Sequence, residues 1–243
     1  MNILVVNDDG IDSKGLEVLT KACAHVGRVY VAAPALEQSA RSHAMSLVDS
    51  IKVEVLQNGL VGADKILKVH GTPVDCVRVG MSLFDVEFDL IVSGINLGPN
   101  LATDVLYSGT IAAAMEGHLY KVPGIAISAP NFEVPYLLDE TVKLLDEIIE
   151  AQLYLDTTVL NINFPKASYQ KPLGTSITKQ GRRVYETDHV STDDPTIYQQ
   201  NFSIIRYQED EDSDVTAFEN GYVSITPLQI DHTDYRKIKS IKR

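Results

Sequence analysis

The chain has little of what several classes of protein require. Its 243 residues include no tryptophan and only two cysteines, Cys23 and Cys76. Two cysteines cannot build the disulfide framework of a small secreted domain, and we expect both to be reduced core residues. No apolar run approaches the length of a membrane span, and the N-terminus lacks the basic and apolar regions of a signal peptide. We therefore expect a cytoplasmic protein that does not bind membranes.

Positive charge is also scarce. The chain has 21 lysines and arginines against 33 aspartates and glutamates, which gives a net charge of -12. This balance argues against binding to nucleic-acid polymers or anionic membranes. If the substrate carries a phosphate group, the site must therefore supply its own local positive charge. The hydrophobic content of 44% is enough for a full core.

The beginning of the chain predicts a strand, a helix and a parallel strand. Residues 3–6 form a short apolar run, which is typical of a strand buried on both faces of a parallel sheet. Residues 15–26 have apolar positions at helical spacing, and residues 28–33 predict the second strand, with an apolar run that follows Arg28. Further buried strands are predicted at 89–92, 123–128 and 158–164, helices at 73–83, 111–120 and 137–151, and an antiparallel excursion at 51–56 and 66–69. The pattern predicts an α/β fold with a mostly parallel sheet flanked by helices.

The composition changes after residue 164. Pro, Gly, Ser, Thr and Asp become more frequent, the predicted strands shorten, and residues 209–214 form an acidic loop. We expect a core at 1–164 and a smaller β-rich part at 165–243, with a soft boundary between them. The polar tail at 231–243 ends in basic residues and is either a solvated terminus or an arm that binds a partner subunit.

Oxygen-bearing side chains follow three of the predicted strands. Asp8 and Asp9 come after the first strand, Ser39 lies in the loop after the second, and Asn96 follows the strand at 89–92. The carboxyl ends of parallel strands meet at one edge of a sheet, where ligands bind. Two adjacent carboxylates repel unless a cation or a shared proton intervenes. Because the group contains no imidazole or thiolate, it favours Mg²⁺, Mn²⁺ or Ca²⁺.

A predicted helix N-terminus adds an anion site. Ser108, Gly109 and Thr110 precede a helix of small residues, and the free backbone N–H groups of its first turn can bind a phosphate. This would supply the positive charge that the composition lacks.

Other interpretations of the same residues are weaker. Acidic residues after a strand often cap the next helix, and loop serines are usually solvated. A Ser39, His43 and Asp75 triad can be drawn, but no G-x-S-x-G sequence exposes the serine. The spacing of Gly94 and Gly98 matches neither a dinucleotide fingerprint nor a P-loop.

Six sequence blocks occur in order over nearly the whole chain: Asn7-Asp8-Asp9-Gly10, Ala33-Pro34 with Gln38-Ser39, Gly71-Thr72-Pro73 with Asp75-Cys76-Val77, Ser93-Gly94-Ile95-Asn96, Tyr107-Ser108-Gly109-Thr110 and Gly221-Tyr222-Val223-Ser224-Ile225-Thr226-Pro227-Leu228. Taken together, these blocks resemble the SurE family of stationary-phase survival proteins, which are 5′/3′-nucleotidases.

The resemblance implies a divalent-metal-dependent phosphomonoesterase that acts on nucleoside 5′- and 3′-monophosphates, with some members also trimming short polyphosphate. The family's metal ligands correspond to Asp8, Asp9, Ser39 and Asn96, and we expect one Mg²⁺ or Mn²⁺ per subunit. We expect Asp8 and Asp9 to be catalytic. The resemblance also implies a Rossmann-like N-terminal part, a smaller C-terminal β part, and homodimers or homotetramers joined by an exchanged C-terminal segment.

For the phosphate contacts we expect Asn96, Ser108, Gly109 and Thr110. One position departs from the family: the residue after the ligand serine is usually glycine and is here Ala40. If the backbone at this position has a positive φ, the alanine methyl strains the loop.

Two rival functions use acidic residues after a first strand. A phosphatase with a nucleophilic aspartate has a D-x-D turn, but here the two carboxylates are adjacent. A phospho-acceptor signalling domain needs a further Asp after its third strand and a Lys after its fifth. The later strands are instead followed by Ser93-Gly94 and by Ser128-Ala129-Pro130.

Overall fold

A nine-stranded sheet lies at the centre of the fold. The computed structural model describes residues 1–155, 159–205 and 209–241. Its strands are β1 (Asn2–Val6), β2 (Arg28–Pro34), β3 (Val53–Leu56), β4 (Ala63–Val69), β5 (Leu90–Leu97), β6 (Gly124–Ala129), β7 (Val159–Asn163), β8 (Thr175–Ile177), β9 (Val184–Ser191), β10 (Tyr198–Ile205) and β11 (Val223–Leu228). Its α-helices are α1 (Lys14–Cys23), α2 (Pro73–Leu83), α3 (Gly109–Leu119), α4 (Leu137–Glu150), α5 (Asp214–Glu219) and α6 (Tyr235–Ile241), and a 3-10 helix spans Ala102–Leu106.

The strand order confirms the predicted fold class. The sheet runs β3-β4-β2-β1-β5-β6-β7-β11-β8, and the strands from β4 to β7 in this order are parallel. The pairs β3–β4 and β7–β11 are antiparallel. β9 and β10 form a separate two-stranded antiparallel hairpin. The fold is therefore α/β, with a mostly parallel sheet flanked by helices.

Successive side chains of β1 point to opposite faces of the sheet, and both faces are covered by helices. Ile3 and Val5 belong to a core cluster that also contains residues of α1 and α4, whereas Leu4 and Val6 pack in a second cluster with residues of α2. Cys23 lies in the first cluster and is free and buried, and Cys76 lies in the second in the same state. The predicted pair of reduced core cysteines is therefore confirmed.

Local sequence signals fix the starts of two helices near the sheet's edge. Thr72 caps α2, where its side chain accepts a hydrogen bond from the backbone N–H of Asp75, and Pro73 occupies the first turn. Ser108 caps α3 by accepting from the N–H of Ile111. The predicted helix at 73–83 is confirmed with the same bounds.

β5 is longer than predicted. The prediction ended the strand at Val92, since the sequence that follows is typical of a glycine-rich loop. The strand continues to Leu97, and its pairing with β6 shifts register between Ser93 and Asn96. Gly94 makes this passage possible, since its φ is +132° and an added Cβ would lie 2.2 Å from the carbonyl oxygen of Ile127. Asn96 therefore lies in the strand, near the carboxyl end of β5, and not in a loop.

The C-terminal region contributes to both sheets. β8 and β11 extend the large sheet beyond β7, and the β9–β10 hairpin forms a second sheet that shares no strand pairing with it. The division at residue 164 stays a prediction. The expected strand at 158–164 begins at a residue outside the described ranges, and part of the predicted basic tail, residues 242–243, also lies outside them. Within those ranges, no helix combines the length and the apolar character that a membrane crossing needs.

Gly15 in α1 and Gly80 in α2 allow a matched test of how tightly α1 packs on the sheet. A Cβ on Gly15 would lie 2.1 Å from the carbonyl oxygen of Ile95, whereas one on Gly80 would meet the flexible side chain of Leu4 at 2.8 Å. We expect Gly15→Ala to lower the free energy of unfolding by about 2 to 3 kcal/mol, because a backbone oxygen cannot rotate away. Urea unfolding measures this change.

Gly80→Ala is the control. It should cost less than Gly15→Ala, because Leu4 can adjust and alanine favours the helix by roughly 1 kcal/mol over glycine. An equal or larger loss in Gly80→Ala would contradict the packing described for Gly15.

Candidate functional site

The turn after β1 is held by contacts to two other elements. Asp8 is only 4% exposed, and the hydroxyl of Thr110 in α3 donates a hydrogen bond to its carboxylate. The backbone N–H of Leu97, at the end of β5, donates to Asp9 Oδ2 at 3.0 Å. Gly109 also approaches closely, since a Cβ there would lie 3.0 Å from that of Asp8. The two carboxylates are thus fixed by α3 and by β5.

The loop after β2 lies directly against this turn. The backbone N–H of Gln38 donates to the carbonyl oxygen of Asp8 at 2.7 Å, which places Ser39 next to the acidic pair. The Ser39 hydroxyl donates to Glu37 Oε1 at 2.6 Å.

Asn96 is oriented by its own strand end. Its side-chain nitrogen donates to the carbonyl oxygens of Gly98 at 2.7 Å and Leu97 at 3.3 Å. Because both hydrogen bonds use the amide nitrogen, the amide oxygen remains available to a ligand.

These loops open into one cavity of about 860 Å³. Four of the predicted site residues lie on its wall: Asp8, Ser39, Asn96 and Ser108. Asp9, Gly109 and Thr110 are not among its lining residues. Asp9 is instead tied to the strand end that carries Asn96, and Gly109 and Thr110 pack against Asp8. The structure therefore brings the three predicted strand ends together, while the roles of these residues as ligands stay a prediction.

The electrostatics of the acidic pair are dominated by burial. Removal from water raises the pKa of Asp8 from 3.8 to about 6, the hydroxyl of Thr110 opposes the rise, and the negative charge of Asp9 adds to it. Burial also raises the pKa of Asp9, against a hydrogen bond from Leu97 and with a further contribution from Glu37. In the described residues, no lysine, arginine or histidine forms an ion pair with either aspartate.

This donor set fits a hard divalent cation. Two carboxylates, one hydroxyl and one amide oxygen are ligands that Mg²⁺ and Mn²⁺ prefer. No group of three or more histidine, cysteine, aspartate or glutamate side chains placed to hold a metal occurs in the described part of the chain. The fit therefore depends on the neutral oxygens of Ser39 and Asn96 as well as on the acidic pair.

Ala40 has the backbone conformation that its sequence position suggested. Its φ is +56°, in the left-handed region that glycine adopts at little cost, and it lines the cavity beside Ser39. The loop that carries Ser39 is therefore strained at this alanine.

The structure does not assemble the alternative serine triad. Ser39 is bonded to Glu37, and His43 Nε2 contacts Glu116 Oε2 at 2.9 Å. Asp75 accepts from the Ser46 hydroxyl at 2.8 Å. Each member of the proposed triad thus has a different partner.

Sequence reasoning missed the contribution of the β9–β10 hairpin to the cavity. Its wall includes Arg183, Val184, Tyr185, Thr187 and Phe202. The only signal available was the frequency of β-branched and aromatic residues in 184–205, and nothing in that pattern says which element the hairpin faces.

The fold and the site together define a class. This is a Rossmann-like α/β protein with a cavity, lined in part by Asp8, at the ends of its parallel strands, where open sheets of this kind generally bind ligands. Comparison with known proteins narrows the class. The sequence model described as "Survival protein SurE" matches residues 3–187.

Full-length relatives agree with this match. The chain is 36% identical over 256 residues to the 5′-nucleotidase SurE of Clostridium beijerinckii, with 100% of this chain and 98% of the relative aligned. It is 38% identical over 251 residues to the 5′-nucleotidase SurE of Petrotoga mobilis, with the same shares of each chain. The crystal structure of the SurE protein from Aquifex aeolicus superimposes with a TM-score of 0.82 at 34% identity, and covers 100% of this chain and 98% of that one. The chain belongs to the SurE family.

The burial of Asp8 predicts that it opposes stability at neutral pH. Its folded-state pKa of about 6 lies above the ordinary 3.8, so above about pH 6 folding must bury a charge that the unfolded chain exposes to water. In metal-free protein we expect Asp8→Asn to raise the free energy of unfolding at pH 7.5 by roughly 1 to 3 kcal/mol. Urea unfolding as a function of pH measures the difference.

The gain should shrink as the pH falls from about 6 to about 4, because folded Asp8 then takes up a proton and loses its charge. The control is Asp12→Asn, which changes an exposed carboxylate in the same loop. A gain in Asp8→Asn that does not depend on pH would show that a desolvated charge is not its cause.

The strain at Ala40 predicts a stabilising substitution. Ala40→Gly should raise the free energy of unfolding by about 0.5 to 1 kcal/mol, because relief of the left-handed conformation exceeds the added freedom of the unfolded chain. Ala40→Val should lower it, since a β-branched residue tolerates this φ less well. Thermal unfolding of both variants checks the order, and a less stable Ala40→Gly variant would refute the strain.

Proposed function

We propose that the chain is a divalent-metal-dependent phosphomonoesterase that hydrolyses nucleoside 5′-monophosphates to nucleosides and phosphate. The observation that carries the proposal is the pair of buried Asp8 and half-buried Asp9, which has no cationic partner in the described residues and adjoins a cavity that also reaches the N-terminus of α3. The similar proteins of Clostridium beijerinckii and Petrotoga mobilis are named 5′-nucleotidases, which supports this substrate class.

Four residues would hold the metal: Asp8, Asp9, Ser39 and Asn96. When bound, one Mg²⁺ or Mn²⁺ per subunit supplies positive charge for the phosphate oxygens and makes water more acidic. The chain itself orients the donors. Thr110 fixes one oxygen of Asp8 and Leu97 fixes one oxygen of Asp9, so each carboxylate keeps its other oxygen for the reaction site.

The phosphate would lie between this group and the start of α3. Ser108 faces the cavity at the helix N-cap, and the first-turn amides carry the positive end of the helix dipole. Asn96 contributes a further polar contact at the same wall. Gly109 lets the helix terminus approach Asp8, and Thr110 acts through Asp8 more than through the substrate.

We also propose activity on nucleoside 3′-monophosphates and short polyphosphate, assembly as a homodimer or homotetramer, and a cytoplasmic location. The activity on these further substrates is supported by the cavity volume of about 860 Å³, which is larger than a phosphate group requires. Assembly is supported by the β9–β10 hairpin, which exposes apolar side chains such as Val190, Ile197 and Ile204.

Phosphate release from AMP and 3′-AMP tests the reaction. We expect turnover with Mn²⁺ or Mg²⁺ and none with EDTA. Asp8→Asn and Asp9→Asn should each lower kcat/KM by at least about a hundredfold, since removing a ligand should cost at least as much as removing its support. Circular dichroism checks that both variants keep the fold.

The exposed Asp12→Asn variant is the matched control and should keep near-normal activity. Turnover that survives EDTA would contradict metal dependence. A stable phosphoprotein without turnover would instead favour a phospho-acceptor signalling domain.

A further inference from the structure

The cavity has an apolar end in addition to its acidic end. Asp8, Ser39, Asn96 and Ser108 supply polar groups, whereas the wall formed by the hairpin includes Val184, Tyr185 and Phe202. Leu106 and Tyr107 line the same space, and each is 55% exposed. A phosphate group interacts with the polar groups alone. The apolar surface therefore fits a ligand that has an apolar part attached to its phosphate.

The hairpin presents one aromatic ring with most of its surface open. Phe202 is 63% exposed, although it lines the cavity. It is paired with Thr187 across the hairpin, so that Tyr185, Thr187 and Phe202 share one face. The rings of Tyr185 and Phe202 meet edge to face, with centroids 6.2 Å apart at 82°. This contact supports the Phe202 ring and leaves much of it accessible.

Polar contacts fix the hairpin against the rest of the site. Asp104 accepts a hydrogen bond from the Tyr185 hydroxyl at 2.6 Å and another from Arg183 Nη1 at 2.6 Å. The side chains of Arg183 and Asp104 are only 17% and 15% exposed, so this ion pair is partly shielded from water. The hydroxyl of Thr103 also donates to the carbonyl oxygen of Arg183.

These contacts place the aromatic ring at a defined position relative to the phosphate end. Asp104 belongs to the 3-10 helix that leads into Ser108, the N-cap of α3. The segment that positions the hairpin is thus the segment that precedes the anion site. A ring held in this way loses little freedom when a ligand binds.

We propose that Phe202 stacks on the nucleobase of a bound nucleoside monophosphate and so makes the enzyme prefer nucleotides over phosphate esters without a base. This inference rests on the proposed function, and it names the residue that selects the substrate class. Stacking on an aromatic ring accepts every base, because each base has a π-face. The preference should therefore extend to purine and pyrimidine nucleotides.

The test compares two substrates that differ only in the base. AMP and ribose 5-phosphate carry the same phosphorylated sugar, so the ratio of their kcat/KM values measures the benefit of the base. In the wild type we expect AMP to be preferred. Phe202→Ala should lower this ratio at least about fivefold, the effect of losing one base–aromatic stack. Phe202→Tyr keeps a ring at the same position and should preserve the ratio.

Tyr198→Ala is the matched control. Tyr198 is an aromatic residue of the same strand, is 58% exposed, and is not among the residues that line the cavity. The ratio should be unchanged in this variant. Light scattering on all three variants shows whether subunit association differs, and the ratio itself cancels a general loss of active enzyme.

The outcomes separate the inference from the proposed function. If Phe202→Ala hydrolyses both substrates with the wild-type ratio, the stacking role is wrong while the nucleotidase activity stands. If Phe202→Ala loses activity equally on both substrates, Phe202 supports the site's structure and not the base. If the wild type hydrolyses neither compound, the proposed function fails and this inference fails with it.

Discussion

The arrangement of the site depends on two neighbouring carboxylates, of which Asp8 is buried and Asp9 is half-buried. Each aspartate loses hydration, the charge of Asp9 makes it harder to ionise Asp8, and the charge of Glu37 makes it harder to ionise Asp9. The protein places a hydroxyl against one and a backbone amide against the other, but these contacts do not neutralise two negative charges. The remaining negative charge is the basis of the proposed divalent-cation site. A bound cation would allow an acidic protein to accept an anionic substrate.

Much of this arrangement could be predicted because it follows from local signals. Strand β1, the turn at Asn7–Gly10 and helix α1 are adjacent in sequence, so apolar runs and a turn identify them. The same holds for Thr72 and Pro73 at the start of α2 and for Ser108 at the start of α3. That Asp8, Ser39 and Asn96 share one cavity followed from a general property of parallel sheets, since all three lie at the same ends of their strands.

What the sequence could not show depends on contacts between distant residues. Asn96 lies in the last part of β5, where glycine and asparagine by themselves indicate a loop. Pairing with β6, although irregular, keeps this segment in the strand. The pairing of Asp104 with Arg183 and Tyr185 joins positions far apart in the chain, and no spacing rule relates them. The aromatic wall of the cavity was missed for the same reason. Local composition identified a β-rich region but not the surface that it faces.

The position of β11 has a consequence for how the protein is made. β11 lies between β7 and β8 in the sheet, although it is the last of the eleven described strands along the chain. During synthesis, β7 is therefore an edge strand whose backbone groups on one side stay unpaired until β11 has been made. Such an edge can pair with a second nascent chain. A chain truncated before Val223 would therefore be prone to aggregation. Synthesis of β11 is the step that covers the edge of β7.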